Sequence, residues 1–188
     1  MARTEGRPQP DAAPHTPVVQ AGPFRTPVRP VDRVWAVARI VLGWIFLWAF
    51  LDKTFGWGFA TPADRAWTHG GSPTTGFLKS TADNALGGFF SGLAGQAWID
   101  WLFMIGLLGI GTALVLGAGM RIAATTGGLL LVFMWAAELP LANNPFMDEH
   151  LVYAVVLAGL ALAGAGNTFG IGEWWGNTPL VRRYPILK

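Results

Sequence analysis

The chain has 188 residues, of which 52% are hydrophobic and 13% charged, whereas an average soluble domain has roughly 25% charged residues. This composition argues against a soluble globular protein, and the net charge of +2 does not indicate a nucleic-acid partner. Cysteine is absent, which excludes thiolate catalysis, iron–sulfur ligation and covalent c-type haem. The three histidines do not pair within one helix. We therefore expect no haem and no metal, and any redox function would need a borrowed electron carrier.

Residues 1–32 form a proline-rich arm with few large apolar side chains. A segment of this composition cannot bury a hydrophobic core, so we expect it to be disordered. The arm lacks the apolar run of a cleavable signal peptide. We expect the first hydrophobic helix to serve as the membrane-insertion signal instead.

Four apolar stretches follow the arm, and each is close to the about 20 residues that a helix needs to cross a bilayer. They cover residues 34–51, 98–117, 122–142 and 146–165. Helices satisfy their own backbone hydrogen bonds in lipid, so the sequence predicts an all-α transmembrane four-helix bundle over residues 33–170, followed by a tail at 171–188. In the second stretch Gly109, Ala113 and Gly117 repeat every four residues, which predicts a face that another helix approaches closely.

The distribution of Lys and Arg predicts the orientation in the membrane. Cytoplasmic segments carry an excess of these residues. The segments before the first stretch, between the second and third, and after the fourth are the basic ones, with Arg3, Arg7, Arg25, Arg29, Arg33, Arg121, Arg182, Arg183 and Lys188. We therefore expect a multi-pass protein of the cell membrane with both termini in the cytoplasm.

The predicted outer loop, residues 52–97, is too long and too apolar to be a structureless connection. Thr61-Pro62 and Ser72-Pro73 are typical helix starts, with a capping hydroxyl before a proline. They predict short helices near residues 62–68 and 73–82. We expect the loop to fold over the outer mouth of the bundle, either as a lid with a substrate role or as an interfacial cover without one.

Few ionisable residues lie inside the apolar stretches, where each costs insertion free energy. Arg39 either extends back to the headgroups or binds an interior carbonyl or carboxylate. Glu138 lies near the outer end of the third stretch, where Pro140 is expected to end or kink the helix. Before the fourth stretch, Asn144 and Pro145 are predicted to cap that helix, an explanation that does not account for His150.

Polar residues gather at the predicted outer ends of the helices. Carboxylates and a histidine at the boundary of water and lipid can pass protons to an acceptor dissolved in the membrane. We predict Glu138, Asp148 and His150 as catalytic residues. The predicted quinone- or substrate-binding residues are Arg39, Lys53, Trp98, Asp100, Trp101, Trp135, Asn143 and Tyr153, with Lys53 attracting an anionic donor and the aromatic residues lining an apolar ring pocket.

Short motifs in three places resemble the DoxX/DoxD family of small four-helix membrane proteins. The resemblance covers roughly residues 34–170. The motifs are Arg39-Ile-Val-Leu-Gly43 with Phe46 and Asp52-Lys53; Gly71-Ser72-Pro73-Thr74 with Gly76-Phe77-Leu78; and Asn144-Pro145-Phe146 with Asp148, His150 and Tyr153.

This family includes the membrane subunit of thiosulfate:quinone oxidoreductase, so the resemblance implies thiosulfate oxidation outside the membrane and electron delivery to quinone. Other members are associated with oxidative-stress complexes. We expect a bilayer, a membrane quinone and a second subunit or soluble redox enzyme as partners. Two alternatives stay open: a non-catalytic anchor for a soluble redox enzyme, and a small-solute carrier.

Overall fold

The computed structural model describes residues 27–188, so most of the predicted arm lies outside the described residues. The regular secondary structure of residues 27–188 consists of helices, with no strand. The helices are α1 (Pro30–Phe55), α2 (Thr75–Ser80), α3 (Gly87–Gly92), α4 (Ala97–Leu116), α5 (Met120–Glu138), α6 (Glu149–Leu162), α7 (Gly172–Gly176) and α8 (Pro179–Arg183). Short 3₁₀ turns occur at Ala63–Arg65, Trp67–His69, Ala165–Asn167 and Pro185–Leu187. The prediction of an all-α chain is confirmed.

Three helices, α1, α4 and α5, are long and apolar enough to cross a membrane, with mean hydropathies of 2.0, 2.0 and 1.5. Only 28–33% of the residues in their most apolar windows are buried inside the protein. Apolar surface exposed on this scale would aggregate in water and is suited to lipid. The predicted membrane location is therefore confirmed at the level of three helices. The fourth apolar stretch forms α6, which is also apolar but has 14 residues.

The helices pack in two close pairs, α1 with α4 and α5 with α6, which meet along a less extensive contact between α4 and α5. Met104, Leu114, Leu157 and Leu160 are fully buried in the shared core. The α1–α4 contact depends on small residues, since a Cβ atom on Gly111 would lie 2.8 Å from the backbone nitrogen of Leu47.

In the predicted small-residue stripe, Gly117 lies against the backbone of Gly166, because an added Cβ atom would be 2.7 Å from the Gly166 carbonyl oxygen. A Cβ atom on Gly109 would meet no other atom within 4 Å, and Ala113 borders a cavity. The close approach of α1 uses Gly111 and Gly43 instead. Spacing alone could not choose between these faces, because α4 carries small residues on more than one side.

The two ends of the long helices differ in the segments that meet there. At one end, called the Arg39 end, the first half of α1 meets the end of α4 and residues 168–169 that follow α6. The backbone nitrogen of Arg121 also donates to the carbonyl oxygen of Lys188 there. At the other end, called the Asp100 end, α1 and α5 terminate and α4 and α6 begin.

The loop between α1 and α4 folds against the Asp100 end, as predicted. Leu78 of α2 and Phe90 of α3 pack with Ala137 in a second apolar cluster. The Asn84 side-chain amide donates to the Ala137 carbonyl (2.8 Å), and the Ala85 nitrogen donates to the Leu139 carbonyl (2.9 Å). Helical turns lie near both predicted positions, and α3 is an additional helix that no capping pattern indicated.

The predicted cap of the fourth long helix is wrong by four residues. Asn144 Oδ1 accepts hydrogen bonds from the backbone nitrogens of Phe146 and Met147, which forms a local turn. Asp148 is the actual N-cap, and its Oδ1 accepts from the Leu151 nitrogen at 3.1 Å. Asn side chains favour such turns as readily as helix caps, so the same residue fits both patterns.

Candidate functional site: an apolar groove and three polar clusters

A cavity of about 890 Å³ lies between α4 and α5 and is roofed by α2 and α3. It extends from Lys53 and Thr74 at the Asp100 end to Gly119 and Ile122 near the opposite end. Among the residues that the structure describes, Lys53 is the only charged one in its lining. We call this feature the α4–α5 groove. Ligand sites for lipophilic molecules combine such an apolar wall with a few polar groups.

The groove exists because the surface of α4 facing α5 carries little bulk. A side chain added at Gly106 or Gly109 would meet no atom within 4 Å, and both glycines line the groove. Larger side chains, among them Phe103, Phe133 and Met134, form its walls. The residues at the two ends of the groove belong to opposite ends of α4 and α5, so an elongated molecule fits its shape better than a compact one.

Lys53 marks the polar end of the groove. It is half-buried, and its Nζ lies 5.9 Å from the centroid of the Phe103 ring. No carboxylate oxygen of residues 27–188 lies within 4 Å of the Lys53 Nζ, so Lys53 forms no ion pair with the described residues. A half-buried ammonium without an ion pair can donate to a ligand with an electron-rich or anionic group at this position.

The neighbouring carboxylate, Asp52, is already satisfied by the protein. The residue is only 2% exposed. Its carboxylate accepts hydrogen bonds from the backbone nitrogens of Phe59 (3.4 Å), Ala60 (3.0 Å) and Thr61 (2.8 Å). Asp52 therefore holds the start of the loop against the end of α1.

Asp100 forms a second polar cluster at the start of α4. Its Oδ1 accepts hydrogen bonds from Thr74 Oγ1 (2.5 Å), Ser72 Oγ (2.8 Å) and the Thr74 nitrogen (3.2 Å). Ser72 also accepts from the Thr75 nitrogen at 3.1 Å. The cluster fixes α2 above the groove, and Thr74 belongs to both features.

Glu138, Asp148 and His150 form a third cluster, where α5 ends and α6 begins. One side-chain oxygen or nitrogen of each residue lies within 4.8 Å of the others. His150 Nδ1 lies 2.7 Å from Asp148 Oδ2, and the two side chains are 12% and 9% exposed. None of the three lines the groove, although Met134 and Ala137 of the same last turns of α5 do. The predicted catalytic residues are therefore brought together, apart from the groove.

Arg39 lies at the opposite end from these clusters and is completely buried. Its Nη1 donates to the Leu114 carbonyl (2.7 Å) and its Nη2 to the Phe169 carbonyl (2.8 Å), while Nε has no partner. Of the two interpretations of Arg39, the structure supports an interior partner for carbonyls. The Leu114 carbonyl lies in the last turn of α4, at the negative end of the helix dipole, where a cation is favourable.

The remaining predicted binding residues are distributed over several environments. Trp98 lines the groove, and Trp101 contacts Trp67 edge to face at 4.6 Å between ring centroids. Trp135 Nε1 donates to the Phe146 carbonyl at 2.9 Å. Tyr153 is partly buried against the main core, and Asn143 is exposed. The structure therefore divides the single predicted pocket into separate sites.

Sequence reasoning missed Asn84 and the groove-lining residues Phe103 and Met134. Asn84 lies in a short polar segment with no periodic pattern, so nothing marked it as a partner of the α5 terminus. Gly106 and Gly109 are the usable signal for the groove, but the same glycines are typical of helix contacts.

Comparison of the chain with protein-family models, curated proteins and solved structures gives no match.

Proposed function

We propose that the chain is a DoxX-like integral membrane subunit of an oxidoreductase, which delivers electrons from a small donor such as thiosulfate to membrane quinone. The observation that supports this proposal most directly is the α4–α5 groove, an elongated apolar space with one lysine at its rim. A quinone combines a polar ring with a long apolar tail. The ring matches the Lys53 end of the groove, and the tail matches its apolar length.

In this proposal all four long helices cross the bilayer with both termini in the cytoplasm. The 14 residues of α6 are extended by the 3₁₀ turn at Ala165–Asn167. The chain then reaches the Arg39 end, where the Phe169 carbonyl accepts from Arg39. The same end carries Arg121 beside the last residues of the chain, so the positive-inside rule supports a cytoplasmic Arg39 end.

Lys53 and Thr74 are the chain's own polar groups at the ring position. The Lys53 ammonium can donate to a quinone carbonyl oxygen and stabilises the negative charge that forms as the ring is reduced. Reduction of the quinone to the quinol takes two electrons and two protons. In this proposal the electrons come from oxidation of the external donor and pass through a partner protein, and the protons come from water, because the chain has no cysteine that could relay electrons itself. Glu138, Asp148 and His150 do not line the groove, so the quinone site does not depend on them.

Filling the groove tests this function. Gly109→Leu places a side chain into open space in the groove, and we expect the purified chain to lose extractable quinone and thiosulfate-dependent quinone reduction, measured with and without co-purified partners. Thr112→Leu is the matched control, because Thr112 is exposed on α4 outside the groove lining. Equal quinone content and activity in both variants would remove the groove from the mechanism.

A second candidate function, a non-catalytic anchor for a soluble redox enzyme, is favoured by a different observation. Arg39, Asp52 and Asp100 are all engaged by hydrogen bonds within the chain, which indicates structural roles. Under this function Gly109→Leu leaves the assembled complex active. Shortening the 52–97 loop would instead release the soluble enzyme, which size-exclusion chromatography of the complex detects.

A further inference from the structure

Three side chains that can bind a metal ion meet at the corner where α5 ends and α6 begins. Glu138 is the last residue of α5, and Asp148 and His150 belong to the first turn of α6. Within residues 27–188, no Lys or Arg forms an ion pair with either carboxylate.

The three side chains differ in how far the protein satisfies them. Asp148 is held by the Leu151 nitrogen through Oδ1 and by His150 through Oδ2. The structure gives the Glu138 carboxylate no hydrogen-bond donor among the described residues. Glu138 is nevertheless half-buried, and its oxygen converges with atoms of Asp148 and His150 to within 4.8 Å. Three side chains of metal-ligating type therefore meet at one point, and the Glu138 carboxyl group is the one that the described residues leave available for a ligand.

We propose that Glu138, Asp148 and His150 bind one divalent transition-metal ion of the Zn²⁺ type. Two carboxylate oxygens and one imidazole nitrogen are a ligand set that Zn²⁺ accepts, with water completing the coordination. The inclusion of an imidazole distinguishes this set from the all-oxygen sites that Ca²⁺ and Mg²⁺ prefer. The site goes beyond the proposed quinone site and does not depend on it.

The backbone around the cluster is already fixed in a way that suits a metal site. Trp135 Nε1 binds the Phe146 carbonyl, and Asn144 closes a turn onto Phe146 and Met147. These bonds hold the connection between α5 and α6, so that the ligands are positioned by groups around them. The metal then joins the last residue of α5 to the first turn of α6.

Zn²⁺ titration of the full chain in detergent, after removal of metal with a chelator, tests the site. We expect saturable binding of one Zn²⁺ per chain by calorimetry, and a higher unfolding temperature with Zn²⁺ than without it. In Glu138→Gln, binding weakens by at least about tenfold, because a ligand is lost while side-chain volume is kept. Glu149→Gln, which changes an exposed carboxylate of the same helical turn, keeps the wild-type affinity.

Other histidines could bind Zn²⁺ adventitiously, so His69→Gln and His15→Gln serve as additional controls and are expected to leave the stoichiometry unchanged. His150→Asn provides a second variant of the site and should reproduce the effect of Glu138→Gln. Equal Zn²⁺ affinity in Glu138→Gln and wild type, or an absence of saturable binding by the folded wild-type chain, would overturn the proposal. Quinone content is measured in the same preparations, so a loss of either site is recognised separately.

Discussion

The two ends of the molecule differ in how completely hydrogen bonds within the chain satisfy their charged side chains. At the Arg39 end a single guanidinium is enclosed completely and donates to carbonyls of α4 and of the segment after α6. At the Asp100 end the charges form separate groups. Asp52 and Asp100 accept several hydrogen bonds, whereas Lys53 and Glu138 form no ion pair with any residue in the 27–188 range. Burial alone therefore does not identify function in this chain. The informative property is a charge that the fold leaves without a partner.

The largest expected effect comes from breaking the Arg39 end. Arg39→Leu leaves the carbonyls of Leu114 and Phe169 without their donor in a buried environment, so we expect a loss of about 3 kcal/mol or more in the free energy of unfolding. Denaturant unfolding in detergent measures this loss. Arg33→Leu, at an exposed position of the same helix, should change stability by less than about 0.5 kcal/mol. Equal stability of the two variants would show that Arg39 is not a structural brace.

A pair of glycine substitutions sharpens the contrast between the enclosed end and the groove. Gly117 has φ +76°, and a Cβ atom there would lie within 3 Å of Arg39 and Gly166, so Gly117→Ala should cost about 2 kcal/mol or more. Gly109→Ala enters open space and should be neutral or stabilising by up to about 1 kcal/mol, since alanine favours helix. Thermal unfolding of both variants decides the comparison. A similar loss for both would mean that the groove is closed in the membrane.

The smallest effect is expected at Asp52, where the charge is satisfied by amides of a surface loop. Asp52→Asn retains one acceptor oxygen and should cost about 1 kcal/mol, with faster hydrogen exchange confined to the amides of residues 59–61. Asp64→Asn, at an exposed carboxylate of the same loop, provides the control. If exchange accelerated throughout the 52–97 loop instead, Asp52 would be organising the whole loop.

The long helices could be predicted from the sequence because bilayer thickness imposes a length that apolar runs reveal. The predicted stretch 98–117 and the observed α4, Ala97–Leu116, differ by one residue at each end. The start of α6 was harder, because Asn144 and Asp148 both fit the cap pattern and only the structure shows which one is used. Capping chemistry is local, and the side-chain oxygens of Asn144 and Asp148, four residues apart, can both accept the hydrogen bonds of a helix start.

The division of the polar residues into separate sites could not be predicted. Sequence places Glu138, His150, Asp100 and Lys53 at one end, and the structure agrees with that placement. Which of them face one another depends on the rotation of each helix about its axis, and that rotation is set by packing. Packing places Gly111, and not Gly109, against α1. Gly109 therefore faces away from α1, where its lack of a side chain leaves the groove open.

The hydrogen bonds from Asn84 and Ala85 to the end of α5 anchor the segment between α2 and α3. These bonds end at the carbonyls of Ala137 and Leu139, the residues on either side of Glu138. The helices that roof the groove are therefore tied by backbone carbonyls to one of its two walls. A substitution at Asn84 would loosen the cover of the groove while leaving the side chains of α4 and α5 that line it unchanged.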